Sequence, residues 1–179
     1  MTNEKVTINI LCEVLLDRGE EIVQFKDFSF RQPVMNAVRI ALETILKEPE
    51  EQYQIGSKVA LKAIDLEEPN DENACWSIKM LTKSRDQRAI EILVKYLHYD
   101  ISGTDHINCC TIPIVREAKN SLDYLIGDDS KLKYKVAIEA MKSIWFQEHL
   151  KEWTINMLNG IDENATFYKP ARELLNKLA

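Results

Sequence analysis

Glycine and proline are scarce in this chain of 179 residues, five of each. Each costs stability inside a helix, so their scarcity among many Leu, Ile, Ala, Lys and Glu makes helix the dominant element and leaves strand signals sparse. A long unbroken apolar segment is also missing. The run from Val6 to Leu16 is interrupted by Asn9 and Glu13 and followed by Asp17-Arg18, which argues against a secretory signal or a membrane span. The expected address is therefore the cytoplasm, with no membrane partner. Basic residues are outnumbered, giving a formal charge of −6. That works against nucleic acid as a partner, because phosphate-backbone affinity comes mainly from Lys and Arg.

Cysteine is limited to Cys12, Cys75, Cys109 and Cys110, the last two adjacent, a poor arrangement for a disulfide framework. These read as reduced thiols. No Gly-rich phosphate loop, nucleophile elbow or His-Glu-x-x-His helix occurs. Enzymatic activity is thus left open, with a non-enzyme without cofactor or metal as the favoured reading.

What the chain does contain is apolar residues at helical spacing, 45% of the total being hydrophobic, enough for a sizeable core. Helices are expected over 6–16, 33–46, 53–66, 71–81, 88–98, 112–126, 132–146, 149–158 and 168–178, about nine in all. Pro33 suits a helix first turn, so 21–33, with Phe25, Phe28 and Phe30, is expected to be an irregular connector. Residues 100–111 are the one long interior loop. No low-complexity linker divides the chain, so 1–179 reads as a single domain.

A short phrase occurs twice. Val38-Arg39-Ile40-Ala41 leads to Ile45, and Val115-Arg116-Glu117-Ala118 leads to Leu122, the two copies starting 77 residues apart, at 38 and at 115. A small residue followed by apolar ones four and seven positions later recurs at Ala74/Ile78/Leu81, Ala89/Leu93/Tyr96, Ala118/Leu122/Leu125, Ala137/Met141/Ile144 and Ala171/Leu175/Leu178. That spacing puts all three on one helix face, with the alanine permitting close approach of a neighbour. A helix roughly every 15 to 20 residues is compatible with helical-hairpin repeats. Any amphipathic helix can carry such spacing, so an irregular bundle is the alternative architecture.

Asp86-x-Arg88-Ala89-Ile90-x-x-Leu93-x-x-Tyr96-Leu97, taken with Val115-Arg116-x-Ala118-x-x-x-Leu122-x-x-Leu125, resembles a bacterial HEAT-like repeat, best over 74–146. The resemblance implies an all-α fold, a right-handed α-α superhelix (solenoid) of antiparallel helical hairpins. It also implies that Arg39 and Arg116 near the starts of second helices bond to turn carbonyls or to an Asp of the next layer, a structural role suited to the forked guanidinium. The family's turn is here expanded into 100–111, an insertion on one rim where solenoids place binding loops.

Candidate contacts follow from the parts that stacking does not explain. Trp76 falls off the main apolar face of its helix and is the aromatic expected on a partner surface, with Lys79 and Lys83 beside it. On the helix over 112–126, Glu117, Asn120 and Tyr124, with Asp123, face away from the apolar stripe. In the inserted loop, Asp105 and His106 are candidate binding residues. His98, Cys109 and Cys110 extend that cluster, but adjacent cysteines rarely both ligate one ion, so a polar loop is preferred to a metal site or a Cys/His nucleophile pair. Trp145 and Trp153 are expected to pack the last layers together. The acidic runs 48–51 and 67–72 form a rim attractive to a basic partner.

The expected function is accordingly a non-enzymatic protein–protein interaction module, a scaffold, adaptor or inhibitor. Its partner is another protein, basic if the acidic rim is used. The alternatives suggested by similarity of fold are a chromophore-protein maturation factor resembling the HEAT-like bilin lyases and, against the acidic charge, a repair enzyme resembling the HEAT-like alkylpurine DNA glycosylases.

Overall fold

The computed structural model describes residues 3–16, 28–65, 71–99 and 107–178, and every regular element among them is helical. The fold class is all-α. Among the described residues, no helix is long and apolar enough to cross a membrane. The chain forms two compact units, residues 1–89 and 90–179.

The first unit contains α1 (Asn3–Leu16), α2 (Phe28–Ile45), α3 (Pro49–Asp65) and α4 (Asp71–Ser84). Ile8, Cys12 and Leu15 on α1 recur at helical spacing, as do Met35, Val38 and Leu42 along α2 with Leu46 just past its end; these pack with Val59, Trp76 and Met80 into one core. Each fully buried aliphatic side chain contributes about 1.5–3 kcal/mol. Burial also pushes the Cys12 thiol up from its ordinary range, keeping it protonated and inert.

Among the described residues, the most extensive helix pairing is α3 against α4. Gly56 permits it: a Cβ there would sit 3.0 Å from Met80 Cβ and 3.3 Å from the Leu81 backbone nitrogen. α3 is also well terminated, with Glu50 and Glu51 in its first turn and Lys62 in its last, both favourable to the helix dipole. The Gln52 side chain donates to the Leu46 carbonyl at 3.0 Å, satisfying an end of α2. Past α4 the chain turns through Arg85 at φ +53°. Arg88 then bonds both Asp86 and Glu50, and its guanidinium lies 4.2 Å from the Tyr53 ring centre.

The second unit takes α5 (Ala89–Tyr96), α6 (Ile107–Ile126), α7 (Ser130–Met141), a π-helical turn (Phe146–Leu150), α8 (Lys151–Asn159) and α9 (Tyr168–Leu178). Gly127, at φ +51°, ends α6 in the left-handed region that glycine tolerates. Asp129 caps α7, accepting from the backbone of Lys131 and Leu132 at 2.9 and 3.0 Å. α7 packs on α8, and α8 on α9. After α7 the chain is anchored to the end of α5. Ser143 Oγ donates to the Leu97 carbonyl, and the Trp145 indole N–H donates to the Tyr99 carbonyl at 2.8 Å.

Several boundaries differ from the sequence expectation. Residues 28–33, expected in an irregular connector, are helical, and Pro33 lies inside α2. Proline fixes a helical φ but, as the sixth residue of α2, removes the backbone donor that would bond one turn back, so the helix carries that lost bond. Residues 107–111, expected in the long loop, open α6, which likewise contains Pro113. The remainder of those segments, 21–27 and 100–106, lies outside the described residues. Trp145, expected on a helix, lies in the turn after α7, and the π-helical turn occupies the place of the simple turn expected near Gln147.

Candidate functional site

The two copies of the repeated phrase share a buried valine and differ at the arginine and beyond, Ala41 and Ile45 being half-buried where Ala118 and Leu122 are fully buried. Val38 and Val115 are both buried in mid-helix. Arg39 is buried as well, only 6% exposed, where it donates to Asn73 Oδ1 at 3.1 Å and Asn36 Oδ1 at 2.9 Å and pairs with Glu72. Asn73 in turn donates to the Leu15 carbonyl at 3.0 Å, so one polar network joins α1, α2 and α4. Arg39 is thus an inter-helix tie, but to two asparagines and a glutamate rather than to the turn carbonyls or the Asp of a next layer that were expected. Arg116 is exposed and makes no such tie among the described residues. The tie has no counterpart there, because Arg116 faces outward on α6.

Trp76 also departs from expectation. It is 5% exposed and belongs to the core of the first unit, so it presents no partner surface. Its position is off the Ala74/Ile78/Leu81 stripe, yet α4 is covered on more than one side. Among the described residues its indole N–H has no hydrogen-bond partner. Lys79 and Lys83 are exposed as expected, and both reach Glu43 on α2, at 2.8 and 3.2 Å. Burial raises the Glu43 carboxyl, but bonding to the two lysines outweighs it and holds the group below the usual carboxylate range.

Of the acidic rim, Glu50 is already engaged by Gln54 and Arg88, whose bonds lower its carboxyl. Residues 66–70, Asp105 and His106 lie outside the described residues, and so do the side chains of Cys109 and Cys110. Among the described residues no group of three or more His, Cys, Asp or Glu side chains is placed to hold a metal ion.

The expected contacts that do come together are those of α6. Glu117, Asn120 and Tyr124, three and four residues apart, share one exposed face. Beside that face run two concavities. One, of about 320 Å³, is lined by Asp123, Ile126 and Gly127 at the end of α6, by Lys133 of α7, and by Trp153, Asn156 and Met157 of α8. The other, of about 110 Å³, is lined by Val115, Arg116 and Lys119 of α6 and by His149 and Leu150 of the π-helical turn. Residues 115, 116, 119, 123, 126 and 127 fall on a single side of a helix. Residues 149, 150, 153, 156 and 157 do the same on theirs. Both concavities therefore lie along the groove-like seam between α6 and the π-helical turn with α8, about 12 Å apart along α6.

The groove is polarised along its length. At one end the Trp153 indole N–H donates to Asp123 Oδ1 at 2.8 Å, and Lys133 Nζ donates to the Gly160 carbonyl at 2.9 Å, so the polar groups are committed to their own chain and hold the wall in shape. At the other end stand Arg116, Lys119 and His149. The imidazole packs against the Trp145 ring, centres 5.9 Å apart, and its Nε2 lies 3.7 Å from a Glu148 carboxylate oxygen. Since Trp145 is itself bonded to the Tyr99 carbonyl, the imidazole has a fixed support.

Sequence reasoning took Trp153 as layer packing and assigned no role to Lys119, Lys133, His149, Asn156 or Met157. The spacing 116/119/123 was visible as a helix side. Its flanking by a concavity depends on the π-helical turn, which carried no recognisable sequence signal. Comparison with protein-family models, with curated proteins and with solved structures finds no match.

Proposed function

We propose that this chain is a non-enzymatic protein-interaction module, a scaffold, adaptor or inhibitor acting in the cytoplasm, that holds a segment of another protein along a helical surface. The observation that carries the proposal is the α6 groove with its exposed shoulder of Glu117, Asn120 and Tyr124. Its lining mixes charge, amide, indole and thioether, a composition that suits a peptide better than a small apolar ligand. Tyr124, 55% exposed, is the kind of large amphipathic side chain that anchors interfaces. The HEAT-like solenoid remains the architecture we propose around it, with second helices such as α6 forming the working face.

The test is a tagged pull-down from the source cell with the native chain and a Glu117→Arg, Asn120→Arg, Tyr124→Ala variant. All three residues are exposed, so helicity by circular dichroism should be unchanged. A protein partner retained near stoichiometrically by the native chain and lost by the variant is the expected result. Retention on DNA at physiological salt, with no protein partner, would overturn the proposal.

A further inference from the structure

In a chain of net charge −6, the smaller concavity of the α6 groove is lined by Arg116, Lys119 and His149, with no carboxylate among its described lining residues. Arg116 and Lys119 stand three apart on α6, so both reach the same side of the helix. Among the described residues neither has a hydrogen-bonding or ion-pairing partner, in contrast to Arg39, Arg88, Lys79 and Lys133. His149 closes the concavity from the other wall. The Glu148 carboxylate lies 3.7 Å from the imidazole. It is the adjacent residue on the same turn and is not one of the lining residues.

The imidazole of this group is held in place. The Trp145 indole is bonded to the Tyr99 carbonyl, the imidazole packs on that indole, and the His149 backbone N–H donates to the Trp145 carbonyl at 2.9 Å. A preorganised donor loses less entropy on binding than a free surface lysine. The space, about 110 Å³, suits a carboxylate head rather than a ring or a folded surface. Arg brings a planar fork matched to a carboxylate, and Lys a mobile point charge. The wider concavity, about 12 Å further along α6, is within about four residues of an extended chain.

We propose that the Arg116–Lys119–His149 concavity is the specificity subsite of the groove and takes the carboxylate of an acidic residue from an extended partner segment lying along α6. This rests on the interaction-module reading and gives that partner a sign: the segment gripped by the second unit is acidic.

The experiment titrates the full chain with an acetylated, amidated penta-glutamate peptide and its penta-lysine analogue, following the His149 ring resonances by NMR and Trp145 by fluorescence. Saturable shifts with the glutamate peptide alone are expected, weakened about tenfold by Arg116→Glu with Lys119→Glu, a variant that should instead prefer the lysine peptide. Binding to the native chain must also weaken as salt is raised from about 0.05 to 0.5 M, a measurement independent of how the variant folds. Equal response to both peptides, no saturable response, or salt-insensitive binding overturns the subsite. Applied to the pull-down, retention of the partner by the charge-reversed chain sinks the subsite and leaves the interaction module standing; absence of any partner sinks the latter.

Discussion

Arg39 and Arg116 occupy the same place in the same four-residue phrase and meet different physics. Arg39 is enclosed and bonds Asn73, Asn36 and Glu72, so truncation removes these bonds together and unties α2 from α4. Glu72 is half exposed, which limits the penalty. Arg39→Ala should cost about 2 kcal/mol, while Arg116→Ala, at an exposed position, should stay within about 0.5 kcal/mol. Urea unfolding of the two variants checks this, and equal losses would show that both arginines build the fold. The phrase itself was legible in the sequence, and so was the burial of its valines. Which arginine would be enclosed was not, because that depends on Asn73 arriving from a helix 34 residues away.

Between elements, close approach and charge matching do most of the work. Gly56→Ala places a methyl against the Met80 Cβ and the Leu81 backbone, neither of which can swing aside. Overpacking outweighs the gain in helix propensity, and a net loss of about 1 kcal/mol is expected in urea unfolding. A gain in stability would show that α3 and α4 do not meet there. The Glu43–Lys79–Lys83 cluster, joining α2 and α4, makes part of the stability depend on pH. Its carboxyl is lowered in the folded chain, so its contribution is present above the unfolded carboxylate pKa of about 4.3 and disappears as pH falls through the lower folded value. Glu43→Gln should therefore be slightly less stable than the native chain at pH 7, by under about 1 kcal/mol, and indistinguishable from it near pH 3. A gap that persisted in acid would assign the difference to packing. Helix positions were readable from periodicity, whereas the starts of α2 and α6 were not, since Pro33 and Pro113 looked like punctuation and sit inside helices.

For the whole molecule, surface and core effects should separate. Trp76→Phe opens space in the first unit's core and is expected to lower stability by about 1–2 kcal/mol without changing partner retention by the folded chain. Tyr124→Ala, on the shoulder of α6, should do the reverse, leaving urea unfolding nearly unchanged and weakening retention. Loss of partner with Trp76→Phe at full helicity would move the working surface to the first unit. By itself the sequence determined that the chain is helical, because scarce glycine and proline and apolar residues at helical spacing are local properties. It also determined that Ala74, Ala89, Ala118 and Ala137 would face neighbours, and all four are buried. Only the tertiary structure decided that Trp76 is core, that Arg39 is a tie while Arg116 lines a concavity, and that His149 stands across a groove from α6. Each of these turns on which residues distant in the chain come to surround a side chain, a property that no single helix encodes.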